Sequence, residues 1–152
     1  MNFFDQEIVQ ICTRLFLAAF LGSLVGIERE IAKKPAGIRT HALVALGAAL
    51  FSVVSYSVVG DTVDPTRIAA QIVTGVGFLG AGMIIFHQSR VQGLTTAAGM
   101  WIAAAIGMAT GFGMYLIGIF TAVLTVLIFI VMWPIEEHFL KKISHRDHPH
   151  NV

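Results

Sequence analysis

Apolar residues in this chain run in long blocks that end at charges, and each block is wide enough for a bilayer. Crossing the hydrocarbon core as a helix takes roughly 20 predominantly apolar residues. Five stretches supply them: 8–27, 40–59, 68–86, 94–111 and 114–133. The last two belong to one uncharged run from Leu94 to Trp133, in which Gly111-Phe112-Gly113 is the plausible turn. The pattern predicts an all-α, polytopic transmembrane helix bundle of about five spans. Only a few residues join consecutive spans, so neighbouring helices should be antiparallel and closely packed. A transmembrane domain is expected over 1–133, followed by a short cytoplasmic interfacial tail, 134–152. In that tail Ile135, Phe139 and Ile143 share a helical face, and Trp133 suits the aromatic belt.

The third block carries polarity into the apolar run. Asp64 suits an N-cap and Pro65 the first helical position. From that start Arg67, Gln71, Thr74 and Gly75 fall on one helical face, while Ile68, Ile72, Val73 and Leu79 lie elsewhere. A polar stripe in lipid is costly, so Arg67 and Gln71 are expected to face protein or water, and an ionisable group there marks a candidate functional site. Gly75, Gly77, Gly80 and Gly82 lie in the same hydrophobic helix. They read as close packing or a flexible point, since a dinucleotide fingerprint needs a preceding strand.

Composition agrees with the block pattern: 56% of the residues are hydrophobic and 12% charged, and the mean hydropathy of +0.79 excludes an ordinary soluble domain. Charge adds an orientation. Arg29, Lys33, Lys34 and Arg39 lie between spans one and two, Arg90 between three and four, and Lys141, Lys142 and Arg146 after five; the other side has Arg67 beside Asp61 and Asp64. The positive-inside rule then puts the N-terminus outside and the C-terminus in the cytoplasm, and supports dividing 94–133 in two. Basic residues thus follow topology and give no case for nucleic acid. Asp5 and Glu7 near the N-terminus argue against a cleavable signal. The single cysteine, Cys12, excludes an intramolecular disulfide and reads as a packing residue.

Two ladders of small residues recur at four-residue spacing: Ala18, Gly22 and Gly26 in the first span, and Thr95, Gly99, Ala103, Gly107 and Gly111 in the fourth. Such faces let helix backbones approach closely, either within one chain or across a homo-oligomer seam. At the end of the first span Glu28, Arg29 and Glu30 put two carboxylates where the helix dipole disfavours them. Arg39 is the nearest compensating charge, with Arg29 the alternative. The cluster reads either as an ion-paired hairpin or as part of a cation or proton route, because carboxylates suit hard cations such as magnesium. Arg14, some six residues into the first span, is expected to pair with Asp64. His41, His87 and Arg90 read as a solvated interface, and His145, His148 and His150 as a solvated tail rather than a metal site. No nucleophile-base pair, phosphate loop or zinc signature occurs. Accordingly no catalytic residue, enzyme activity or cofactor is expected, and no metal ligand set is assigned.

Gly22-Ser23-Leu24-Val25-Gly26-Ile27-Glu28-Arg29-Glu30 and Lys34-Pro35-Ala36-Gly37-Ile38-Arg39-Thr40-His41-Ala42-Leu43-Val44 resemble segments of the MgtC/SapB family. So do the 64–85 block and Val91-Gln92-Gly93-Leu94-Thr95-Thr96-Ala97-Ala98-Gly99-Met100-Trp101. The resemblance covers roughly residues 20 to 115, in the family's order. It implies a multi-pass protein of the bacterial inner membrane, linked to growth under magnesium limitation and, in a virulence branch, to survival in phagocytes and restraint of the F-type ATP synthase. Longer members continue into a cytoplasmic C-terminal domain, and this sequence looks like a short form with the membrane domain only. Two functions are expected from these observations. The first is regulatory or scaffold contact through helices, with a second copy or a membrane complex. The second is an ion transporter or channel for magnesium, another cation or protons, using Arg14, Glu28, Glu30, Asp64, Arg67 and Gln71. An envelope structural protein ranks third.

Overall fold

The structure is a computed structural model that describes residues 3–58, 66–87 and 90–144. It contains five helices and one small hairpin in the order α1 (Phe3–Ile31), α2 (Ile38–Val58), α3 (Thr66–Met83), β1 (Ile85–His87), β2 (Arg90–Gln92), α4 (Leu94–Gly111) and α5 (Tyr115–Ser144). Among the described residues four stretches are long and apolar enough to cross a membrane: Asp5–Ile31, Ile38–Ser57, Leu94–Gly111 and Tyr115–Ile135. The described apolar part of α3, Arg67–Met83, is shorter. The expected multi-pass helix bundle is therefore present. Two boundaries differ from the sequence reading. The third block was expected to stay helical to residue 86, but it leaves the helix after Met83 and pairs antiparallel with residues 90–92. The tail was expected as a separate interfacial helix, but α5 runs through Pro134 to Ser144.

The turn at Gly111-Phe112-Gly113 forms as read. Gly113 has φ 81°, and the amides of Gly113 and Met114 donate to the carbonyls of Thr110 and Ala109. That closes the helix with a left-handed C-terminal residue. At the end of α1 the same geometry is built without glycine. Lys33 has φ 55°, its amide donates to the Glu30 carbonyl, and the Lys34 amide donates to Arg29.

The small-residue ladders of α1 and α4 both grip α2. A Cβ on Gly22 would lie 2.6 Å from the His41 carbonyl oxygen, and one on Gly26 2.6 Å from Ile38 Cα. From the other side, a Cβ on Gly107 would come within 2.8 Å of the Ala45 carbonyl carbon, and one on Gly111 within 2.6 Å of the Ala49 oxygen. Ala103 is fully buried in the same helix. Where lipid removes the hydrophobic drive, this backbone contact and its dispersion attraction hold helices together. Leu21, Val25, Ile106 and Ala122 fill the space between α1, α4 and α5, with Phe129 against them. Ala48, Ile72, Val76 and Ala104 join α3 to α2 and α4. Buried hydroxyls are satisfied locally: Ser52, Thr110 and Thr125 each donate to the carbonyl four residues back, as helices in lipid require.

Candidate functional site

The polar residues separate into three places. The first is the hairpin between α1 and α2. Arg29 is 4% exposed, pairs with Glu28, and stacks 3.6 Å from the centre of the Phe129 ring. A desolvated guanidinium over an aromatic face gains cation-π attraction on top of its ion pair. Glu30 turns the other way. Its Oε2 accepts the Ile38 amide at 3.1 Å, so the carboxylate caps the positive end of α2. The two acids that looked misplaced at the end of α1 are thus compensated separately. Arg39, expected as the compensating charge, is exposed, and among the described residues the salt bridge of this cluster is Arg29 with Glu28. The reason is reach: Arg29 neighbours Glu28 in sequence and shares its buried side, whereas Arg39 points outward from α2.

Beneath this pair lies His41, and here the expectation of a solvated interface is wrong. His41 is fully buried. Its Nδ1 lies 2.9 Å from the Gly37 carbonyl oxygen. That oxygen can only accept, so Nδ1 carries a proton, and in the neutral ring Nε2 is the nitrogen with the lone pair. Nε2 has no hydrogen-bond partner. It faces Gly99, where an added Cβ would lie 3.1 Å from it and 3.2 Å from Phe129. Sequence reasoning missed this residue because it sits next to the start of a span; the cover comes from α4 and α5, distant in sequence. The usable signal was the small residue of the α4 ladder at Gly99. His87 and Arg90 do lie on the surface, facing one another across the hairpin.

The second place is the opposite end of α1. Arg14 Nη1 donates to the Gly111 carbonyl at 3.1 Å and its Nε to Tyr115 Oη at 3.3 Å. Gly111 ends α4, so the cation satisfies a carbonyl left without a helical partner and complements the negative helix end. Asp64, its expected partner, lies outside the described residues.

The third place is α3. Its buried positions are Ala69, Ile72, Val76 and Gly80, an apolar stripe at helical spacing that packs on α2 and α4. Arg67, Gln71 and Thr74 lie off this packed stripe, and all three are exposed. The Thr74 hydroxyl reaches back to Ala70 O at 3.4 Å. Of the four glycines read as close packing, only Gly80 meets a neighbour, with Ala97 Cβ 3.6 Å from its added Cβ; Gly75, Gly77 and Gly82 face open space. Gln71 and Gly75 line a groove of about 400 Å³ between α2 and α3, with Val44, Phe51 and Leu79 among its walls. Glu28 lines a different groove, of about 520 Å³, between α1 and α5. The two grooves share no lining residue, and α3 packs on α2 and α4 rather than on α1. Gln71 of the α3 stripe and Glu28 of the hairpin cluster, grouped in the transport reading, thus line separate grooves.

Among the described residues no group of three His, Cys, Asp or Glu side chains could hold a metal ion. His145, His148 and His150 lie outside them.

A sequence model of the MgtC family matches residues 15–138. The chain is 45% identical over 139 residues to the Escherichia coli K12 protein named "Putative magnesium transporter YhiD", covering 87% of this chain and 65% of that protein. It is 53% identical over 97 residues to "Protein MgtC" of Brucella abortus, covering 64% and 40% respectively. A Haemophilus influenzae protein is 36% identical over 152 residues, 94% of this chain and 63% of its own length. The chain thus spans less than two thirds of each of these relatives. No solved structure matches. The match covers α2, α3 and α4 completely and most of α1 and α5, including both sides of the glycine seam, and the chain belongs to the MgtC family.

Proposed function

We propose that this multi-pass membrane protein resides in the bacterial inner membrane, N-terminus outside, and serves adaptation to magnesium limitation or virulence-type stress by helix-helix contact rather than by chemistry or ion passage. The contact is made with a second copy or with a membrane complex such as the F-type ATP synthase. The observation that carries this reading is the outward face of α3. Gln71, Gly75, Phe78 and Gly82 share it, Phe78 is 80% exposed, and a Cβ at Gly75 or Gly82 meets nothing. Lipid is a poor neighbour for Arg67 and Gln71. A second helix is a good one, because the glycines admit its backbone and an amide both donates and accepts. Four charges packed on or beside the bundle have a structural use: Arg14 on α4, Glu30 on α2, and Arg29 with Glu28.

The test uses Gly75→Leu and Gln71→Leu, which alter the face without filling any packed space in the chain. Expected are normal insertion and thermal stability, with loss of cross-linking to the partner in cells and loss of growth at low magnesium. Retained cross-linking and growth would refute it. The ladder glycines of α4 cannot serve this purpose, because Gly107 and Gly111 are already occupied by α2.

Ion transport is the second reading, favoured by the buried Arg29 and His41 with the half-buried Glu28 and by the name of the Escherichia coli relative. A flux of magnesium, another cation or protons through the purified protein in liposomes, altered by Glu28→Gln, would place it first.

A further inference from the structure

The groove between α1 and α5 carries more than a bilayer requires. It is lined by Leu24, Ile27 and Ile31 on α1 and by Val123, Leu127 and Trp133 on α5, with Glu28 as its charged member. From Val123 to Trp133 it follows ten residues of helix, about 15 Å at 1.5 Å per residue. The walls are almost wholly apolar and open sideways, which suits a flexible hydrocarbon chain lying along the helices. One end is chemically different. Ala32, which lines the groove just past the end of α1, is followed at once by Lys33 and Lys34, both exposed. Trp133 lines the same groove and is 55% exposed. A groove that is lined by an exposed indole and by Ala32, the residue before two exposed lysines, has the chemistry of the lipid headgroup level at that end.

Glu28 does not cancel this positive end, since its charge is engaged by Arg29. Lys33 also occupies the left-handed C-terminal position of α1, with φ 55°, where glycine is the usual residue. Backbone strain of this sort is commonly retained where the side chain has a task. We propose that the α1–α5 groove is a binding site for an anionic phospholipid, with an acyl chain along the apolar walls and the phosphate-bearing headgroup held by Lys33 and Lys34.

The test reads Trp133 directly in the full chain. Trp101→Phe removes the second tryptophan, which lies on α4, and leaves Trp133 as reporter. The protein is reconstituted in mixtures of phosphatidylglycerol and phosphatidylcholine, with bromine on the acyl chains of one lipid at a time. Bromine quenches indole fluorescence on contact. Expected is stronger association of phosphatidylglycerol at Trp133, about fivefold per lysine. The preference should vanish in Lys33→Gly with Lys34→Gln, and survive in Arg90→Gln at the remote hairpin. Lys33→Gly relieves the left-handed strain, so loss of preference in that variant is not a folding defect; an unchanged melting temperature checks it. Equal quenching by the two lipids, or a preference that outlasts both lysine changes, would overturn the proposal. So would suppression of the preference by inorganic phosphate at constant ionic strength, which would make the pair a phosphate site with no lipid requirement. Absence of quenching by either lipid would overturn it as well, because a protein helix would then fill the groove.

Discussion

Gly107→Ala tests the seam on which the bundle rests. The added methyl would lie 2.8 Å from the Ala45 carbonyl carbon and 2.9 Å from its Cα, well inside ordinary contact. These are backbone atoms of α2, and Gly22 and Gly26 of α1 hold the opposite side of that helix. Relief requires α2 and α4 to separate, which also loosens contacts at Gly99 and Gly111. Overpacking of a tight interior costs about 1–3 kcal/mol, offset in part by the helix preference of alanine over glycine, up to about 1 kcal/mol. A net loss of about 1–2 kcal/mol should lower the melting temperature by roughly 2–8 °C at this chain length. Gly75→Ala is the internal control: nothing lies near its added Cβ, so only the helix preference remains and stability should hold or rise. Thermal unfolding in detergent, followed by circular dichroism, reads both. Equal melting temperatures for the two variants would refute the assignment of the α4 ladder to α2.

Arg14→Met leaves the Gly111 carbonyl without its cation and Tyr115 without its partner; a loss of about 1–2 kcal/mol is expected in the same melting assay, with Tyr115→Phe milder. Arg29→Met should cost about 3 kcal/mol by stranding Glu28, and Glu28→Leu in the same chain should restore most of it; failure of the second change to rescue would show that the stacking on Phe129 outweighs the ion pair. Glu30→Gln removes a charge from the start of α2 and should cost about 0.3–1 kcal/mol, while leaving any ion flux in liposomes at background. A flux that responds to it would move the transport reading forward.

How much of the site was legible depended on where each partner lies along the chain. Glu28 and Glu30 were visible as acids at an unfavourable helix end, and their need for compensation follows from the dipole alone. Which group supplies it did not: the Ile38 amide answers Glu30 across a short turn, and Arg29 is held by Phe129, a hundred residues on. Arg14 was legible as a cation needing a partner, yet its partner is a backbone carbonyl of α4, which has no signature in sequence. Helical spacing groups the polar residues of α3 on one face, and the direction of that face follows only from the packing of Ile72 and Val76 on Ala48 and Ala104.

The sequence by itself determined the class of the protein, the order and approximate limits of its helices, and the turn at Gly111-Phe112-Gly113. These follow from costs that are local: unpaired backbone groups and charges cannot remain in hydrocarbon, so apolar length dictates helices and charges mark their ends. Tertiary structure alone decided which surfaces meet. A four-residue ladder of small residues admits a neighbour without naming it, and the ladders of α1 and α4 prove to be two sides of one seam around α2. The same packing buried His41 and left the Gln71 face of α3 outside, because each helix has one orientation that lets all its close neighbours approach at once.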